Sequence, residues 1–537
     1  MESSSRKNSQ DANRDVSQGS KYIEEDEILE IKSSLNTLKP TPPPEEISVI
    51  REILFLFCVA VQQMLTQAGV AQTTNPSTAI AKTFGVEDLN GEKSWFTASY
   101  SLTVGTFILI AGRLGDMYGY KKIYLIGFAW FAVWSLVAGF SGFTTSQIFF
   151  DVARAMQGIG PALSIPNAMA LIGHYYPKGF KKDLCMCLYG SVAPTGFMLG
   201  ALFSGLVAEL VDTMALPGVF LGYFLLGIAC VLVSVLGYFA IPQNIGNFDS
   251  EREEDTFDWF GSLFGVCGLV LINFAWNQGP NVGWDKAYVY ILLIVGFILI
   301  GLFFVAESKA KDPLIPSVAL KGETGFVLGC IAAGWSCFGV WLYYTFQWNE
   351  FVDNQSPIIG GVHFVPAAIV GYVAAALTAV LLQKLPLSIV MHFAMLFFLI
   401  GIILMGTRPV GQIYWTQKFF SLIIQSFGMD MSFPAGTVIL SNSLPKSQQG
   451  IAASLVATFQ NYAISIGLGF AGTVEYYQTR NLPDTLDSKI HGFRVAFYMG
   501  MGLAGCGVIL SLIFILKQYK ERIHLRKSEK SALSSIP

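Results

Sequence analysis

Apolar residues run through this chain in blocks of roughly 20, about the length a helix needs to cross the ~30 Å hydrocarbon core of a bilayer. Blocks bounded by Pro, Gly or charge predict fourteen spans, near residues 52–72, 95–112, 122–141, 147–172, 184–208, 218–241, 259–277, 288–306, 325–347, 358–383, 386–406, 414–440, 450–472 and 493–517. The continuous polar and apolar alternation of barrel strands is absent. Each span must satisfy its own backbone groups in lipid, so helices are implied. The pattern predicts an all-α polytopic membrane protein.

The polar stretches between blocks predict a topology. An even number of spans puts both termini on one side, and a tail carrying Lys517, Lys520, Arg522, Arg526, Lys527 and Lys530 puts that side in the cytoplasm. Arg113, Lys121 and Lys122, then Lys178, Lys181 and Lys182, then Lys309, Lys311 and Lys321 fall in loops on the same side, whereas Arg408 and Lys418 do not fit. The expected organisation is a disordered N-tail over 1–51, a six-helix half over 52–241, an acidic loop and two extra helices over 242–308, a second half over 309–517 and a basic tail over 518–537. Arg6-Lys-Asn-Ser9 is a candidate kinase site, and Asn354-Gln-Ser356 is a glycosylation acceptor placed in an external loop.

Composition agrees with this picture: 53% of the 537 residues are hydrophobic and 13% charged, against about a quarter charged in soluble proteins. With a net charge of −3 and its Lys and Arg dispersed, the chain offers no basic face for nucleic acid. The eight cysteines fall almost entirely inside spans, without C-x-x-C or a metal-ligand pattern, so reduced packing thiols are expected and neither metal nor cofactor is implied. No cleavable signal is evident before the first span. Walker and nucleophile-elbow motifs are missing too, which argues against an enzyme and against direct ATP drive.

Four segments carry mechanism. Gly112-Arg-Leu-Gly-Asp-Met-Tyr-Gly-Tyr-Lys-Lys122 follows span 2; Gly112 and Gly119 suit close helix approach and a tight turn, and Asp116 can meet a helix N-terminus or Lys121 and Lys122, making a conformational latch. In span 4, Asp151 and Arg154 share a helix face and precede Gln157; unpaired, either charge is costly at this depth, so the pair serves coupling or is a structural ion pair. Span 5 carries Gly190, Pro194, Gly196 and Gly200, a face of small residues with a bend. Span 12 holds Asp430 midway along an apolar segment, either for proton exchange or for a permanent pair. His363 and His392 carry a side chain that ordinarily titrates near neutral pH, though a lone membrane histidine is commonly a packing residue. Most of the tryptophans suit interfacial anchoring, whereas Trp335 and Trp341, midway along span 9, join Gln157 and His363 as candidates for lining a substrate cavity.

These segments resemble motifs A, B and C of the major facilitator superfamily, with Met117, Tyr120 and Ala193 departing from the pattern. Over residues 50 to 517, fourteen spans with an inserted pair resemble the drug:proton antiporter-2 family. Asn273-Phe-Ala-Trp-Asn-Gln-Gly-Pro280, Phe427-Gly-Met-Asp-Met-Ser-Phe-Pro434 and Gly472-Thr-Val-Glu475 are similar to its fungal subgroup of aminotriazole-resistance and boron exporters and low-affinity ammonium facilitators. The resemblance implies a major facilitator fold of two six-helix halves plus two central helices, and a role for Arg154 in proton coupling. The family's usual span-1 Asp is missing from Met64-Leu-Thr-Gln-Ala-Gly69, which moves the coupling burden to Asp151, Arg154 and Asp430. The leading expectation is proton-coupled export of drugs or small toxic solutes by alternating access from a monomer in the plasma membrane, or else the vacuolar membrane. Alternatives are a low-affinity ammonium or small-solute facilitator and a non-transporting nutrient sensor.

Overall fold

The computed structural model describes residues 47–534 apart from the short stretches 87–89, 178–179, 212–217, 244, 246–256, 311–312, 316–321 and 444–448. The N-tail through Glu46 with its Ser9 site, Lys178, Lys311, Lys321 and most of the acidic loop lie outside the described residues.

Helices form where the apolar blocks predict them. They are α1 (Val49–Thr74), α2 (Ser77–Phe84), α3 (Asn90–Tyr118), α4 (Tyr120–Phe140), α5 (Gln147–Tyr175), α6 (Phe180–Leu210), α7 (Gly218–Ala240), α8 (Trp259–Val282), α9 (Ala287–Lys309), α10 (Glu323–Phe351), α11 (Pro357–His363), α12 (Val365–Lys384), α13 (Leu387–Gly406), α14 (Gln417–Ser443), α15 (Gln449–Thr479) and α16 (Leu486–Ser534). Side-chain caps set three of the starts: Ser48 Oγ accepts from Arg51 N at 3.3 Å, Ser146 Oγ from Phe149 N at 3.3 Å and Asp258 Oδ1 from Gly261 N at 2.8 Å.

Fourteen of these helices, α1, α3 to α10 and α12 to α16, have at least 20 residues. Among the described residues, eleven spans qualify by length and composition to cross a membrane, with α11 and α12 forming one continuous stretch. The remaining three, α5, α14 and α15, interrupt their apolar sequence with Asp151 and Arg154, with Lys418 and Asp430, and with Glu475. They pack against several neighbours, which lets polar groups face protein in place of lipid.

Contacts sort the helices into two sets. In the first, α4 packs on α5 and α7, α3 on α5, and α1 on α6 and α7; in the second, α10 packs on α15 and α16, α13 on α14 and α16, and α12 on α14. The sets meet where α3 lies on α15 and where α6 lies on α11 and α12. The hairpin α8–α9 stands beside that first seam, with α8 touching both α15 and α3.

Two expectations change. The segment Gly112 to Lys122 is no loop: α3 continues through Tyr118 and α4 starts at Tyr120, leaving Gly119 alone between them at φ 96°. That backbone region strains any residue with a Cβ, so glycine is required at the break. Span 10 is broken, with Phe364 ending α11 and Pro366 in the first turn of α12.

Candidate functional site

Two of the residues expected to carry mechanism, Pro194 and Asp430, come together where α6, α12 and α14 meet. A methyl group placed on Gly371 of α12 would stand 3.0 Å from Pro194 Cγ of α6 and 3.2 Å from Asp430 Oδ2 of α14. Asp430 Oδ2 is enclosed there without a hydrogen-bond partner. Beside it, Thr195 donates its hydroxyl to Tyr372 Oη across the seam at 2.9 Å. The small residues of α6 are divided between two neighbours. At Gly196 a side chain would strike the Met64 backbone, and at Gly200 it would meet Ala68 Cα at 2.5 Å, so these two press α6 onto α1. Pro194 instead faces the opposite set, and Gly190 has nothing within 4 Å.

Toward the end of the bundle where α1 ends and α3 begins, aromatic rings and polar contacts close the seam. Phe364, at the helix break, stacks on Phe346 with centroids 4.6 Å apart and lies 5.5 Å from Phe197 of α6. Asn75 Nδ2 donates to Ala201 O and to Pro357 O, both at 2.8 Å. Thr78 donates to Glu350 Oε2 at 2.9 Å, and Ile358 N donates to Glu209 Oε1 at 2.7 Å. In this arrangement the two sets are joined at that end.

Arg154 is fully buried. Spacing predicts its pairing with Asp151, but its guanidinium reaches elsewhere: Nε donates to Phe96 O at 3.1 Å, one terminal nitrogen to Gly69 O at 2.8 Å and the other to Gln157 Oε1. The planar group also lies over Tyr100 at 4.5 Å and Tyr223 at 5.7 Å. Its donors are met by two carbonyls on neighbouring helices, by the Gln157 amide and by two ring faces, without Asp151. Gln157 passes the network on, donating to Ser135 Oγ at 2.7 Å. Asp151 accepts from Gln147 Nε2 at 3.2 Å, and the same amide donates to Glu92 Oε2 at 2.7 Å.

In the Gly112 to Lys122 segment, Asp116 accepts from Tyr120 Oη at 2.7 Å. Lys121 Nζ donates to Tyr238 O and Ile241 O, at 2.8 and 2.6 Å, at the C-terminal end of α7, where helix carbonyls favour a cation. Gly112 faces Ser454 of α15, and Gly115 faces the Asn167 amide of α5. The segment therefore ties α3 to α5 and α15 and ties α4 to α7.

Trp335 and Trp341 are buried and donate their indole N–H groups to Ser432 Oγ at 3.1 Å and Ser421 Oγ at 2.8 Å, contacts that pin α10 to α14. Trp95, Trp276 and Trp284 help dock α8. His363 joins a buried cluster that the sequence did not reveal. Asp353 Oδ2 receives Arg408 at 2.7 Å and lies 3.6 Å from Lys418 Nζ, which is itself 2.9 Å from His363 Nδ1 and 3.2 Å from Gln355 Oε1. Tyr414 stacks on His363 with centroids 4.0 Å apart. This burial explains why Arg408 and Lys418 defy the loop-charge pattern. His392 bonds Ser511 Oγ at 2.8 Å. A second unforeseen network stands where the span-1 carboxylate was expected: Gln62 Nε2 donates to Thr66 Oγ1 at 3.0 Å and Ser164 Oγ at 3.1 Å, and Tyr189 Oη donates to Gln62 Oε1 at 2.8 Å. The pair Gln62-Gln63 inside an apolar span is the signal that could have found it. Among the described residues, no three His, Cys, Asp or Glu side chains could hold a metal ion, and seven cysteines are free thiols.

Two helix sets meeting along glycine-lined seams, with polar groups held inside helices that cross a bilayer, define a multi-pass membrane transporter. The chain belongs to the Major Facilitator Superfamily, whose family model matches residues 56–467 and 324–537. It is 47% identical over 470 residues to the low affinity ammonium transporter of Saccharomyces cerevisiae, covering 87% of this chain and 89% of that protein. It is 40% identical over 490 residues to an efflux pump of Aspergillus terreus, covering 90% and 92%. A crystal structure of a peptide transporter superimposes with a TM-score of 0.59 at 15% identity, covering 87% of this chain and 94% of that one, which supports the shared fold.

Proposed function

We propose that this transporter exports drugs or small toxic solutes in exchange for protons, with alternating access between the two helix sets and Asp430 as the proton-carrying group. The observation behind the reading is the position of Asp430, enclosed beside Gly371 and Pro194 at the junction of the sets without a hydrogen-bond partner. An ionised carboxylate is costly in such surroundings unless it gains a partner or water. Gain and loss of its proton then favour different arrangements of α6, α12 and α14. Asp151 and Arg154 serve in this reading as the supporting polar network of the first set. The similarity to an efflux pump agrees with export.

Fourteen membrane crossings, halves at 52–241 and 309–517 with the α8–α9 insertion between them, cytoplasmic termini, a plasma-membrane location and a monomeric state belong to the same proposal. So does transport in place of catalysis, without nucleic acid as a partner. A facilitator of ammonium or another small solute is the second reading, favoured by the 47% identity to an ammonium transporter.

In cells lacking the gene, intracellular drug is expected to rise while methylammonium uptake stays unchanged; the reverse pattern selects the facilitator. In reconstituted vesicles, Asp430→Asn is expected to abolish the dependence of export on an imposed pH gradient. Pumping by that variant that still responds fully to the gradient excludes Asp430 as the coupling group.

A further inference from the structure

The segment Asn273 to Pro280 is left without a part in proton exchange, yet it is one of the most heavily engaged stretches of the protein. It lies on α8, and its polar side chains point into the fold. Asn277 Nδ2 donates to Asn273 Oδ1 at 2.8 Å and to Ser465 Oγ at 3.3 Å, while Ser465 Oγ donates to Asn273 Oδ1 at 2.8 Å. All three residues are buried, so this is an amide and hydroxyl knot between α8 and α15. The contact continues in both directions along α15. Tyr462 Oη donates to Leu269 O at 2.9 Å, Trp276 meets Phe470 edge-on at 4.6 Å, and Trp284 Nε1 donates to Thr473 Oγ1 at 3.3 Å. At Gly469 a side chain would stand 2.8 Å from Trp276 O, so the backbones themselves are close.

The attachment of α8 to the other helix set is different in kind. There α8 packs on α3, and the side-chain hydrogen bond to it comes from Trp95 near the start of α3, whose Nε1 donates to Gln278 Oε1 at 2.8 Å and whose ring lies 5.2 Å from Phe274. Trp95 stands at the end of the bundle where Asn75 bonds Pro357 and Thr78 bonds Glu350. Between the two attachments runs the seam itself, where a side chain at Gly105 of α3 would meet Tyr462 N of α15 at 2.7 Å. One helix thus packs on both sides of a joint, hydrogen-bonded to one side over three turns and to the other through Gln278 and Trp95 at one end.

We infer that the α8–α9 hairpin is a strap carried by the second helix set, and that Trp95–Gln278 is a releasable clasp favouring closure of the seam at the end where α1 ends and α3 begins. The knot survives rearrangement because separating it strands several buried polar groups at once, whereas release of the clasp exposes one donor and one acceptor near the helix ends. The inference rests on the alternating-access reading.

Double electron–electron resonance on the full chain separates the two ideas. Spin labels are placed on the lipid-exposed positions Ile294→Cys in α9, Val133→Cys in α4 and Ile509→Cys in α16, with the exposed Cys506→Ala in the background. The expected result is one narrow distance for 294–509 under all pH and substrate conditions, and two populations for both 294–133 and 133–509. Trp95→Phe keeps the ring contact with Phe274 and removes the N–H donor; Gln278→Leu removes the acceptor. Each is expected to shift the ratio of the two 133–509 populations toward the arrangement opened at the clasped end by about fivefold, the worth of one neutral hydrogen bond. If 133–509 varies and 294–509 varies with it, or if neither variant shifts the ratio, the strap is wrong while alternating access stands. A 133–509 distance that never varies overturns both.

Discussion

Asp353→Asn is expected to destabilise the protein by on the order of 3 to 5 kcal/mol, because it leaves Arg408 and Lys418 buried without their carboxylate. Both cations are essentially inaccessible, at 2% and 1% side-chain exposure, and neither can recover water without opening the packing around Tyr414 and His363. The damage should extend beyond this corner. His363 ends α11, and α11 is the element whose Pro357 carbonyl receives Asn75 from the other helix set. Thermal melting of the detergent-purified protein should show a large loss for the single variant. Replacing Asp353, Arg408 and Lys418 together by apolar residues of similar volume should restore most of it, since removing all the charges removes the uncompensated burial. If the single and triple variants melt alike, the charges are not what makes this cluster matter.

Arg154→Ala is expected to cost a similar amount, about 3 to 5 kcal/mol, by leaving the carbonyls of Phe96 and Gly69 and the Gln157 amide oxygen buried without their donor. Its guanidinium connects α5 to Gly69 of α1 and Phe96 of α3 and lies against Tyr223 of α7, so four helices of the first set lose a common tie. Arg154→Lys retains the charge but cannot reproduce the planar fork, and it should recover only part of the stability. Melting curves and transport measured on the same preparations test this. A lysine variant equal to the native protein in both would mean that charge alone suffices and the three-acceptor geometry is incidental.

Much of this architecture was legible because a membrane span has one dominant requirement, a long apolar run, and the chain meets it repeatedly. What the apolar pattern misplaced has particular causes. Gly112 to Tyr118 looks like a loop because it is polar and small, yet those residues extend α3 by packing on Asn167 and facing α15. The i, i+3 spacing suggested Asp151 with Arg154, but spacing measures proximity along one helix and cannot see the carbonyls of Gly69 and Phe96 on its neighbours. Asp353 drew no notice because its partners lie 55 and 65 positions away, at Arg408 and Lys418. Asp430 stands out in the sequence as a carboxylate in an apolar helix. Its neighbours Pro194 and Gly371, each from a different helix, became visible only in three dimensions.

The polarity of α5, α14 and α15 also has a consequence for how the protein is made. A segment entering the bilayer during synthesis is sorted by its own hydrophobicity; a charge near the middle of a helix, as Asp430 is in α14, opposes that partition by about 2.5 to 3.5 kcal/mol, and the charges nearer the ends of α5 and α15 oppose it less. These three helices therefore depend on neighbours already in place: α4 and α3 for α5, and α13 for α14. The helix α15 precedes its partner α16 in the chain and must wait for it or lean on α10. Reporter fusions ending just after α14 should integrate it efficiently when α13 is present and poorly when α14 is offered alone. Equal insertion in both cases would show that no such assistance is needed. On the expected outcome, the buried polar groups proposed to move protons are the same ones that make assembly of the transporter a cooperative, ordered process.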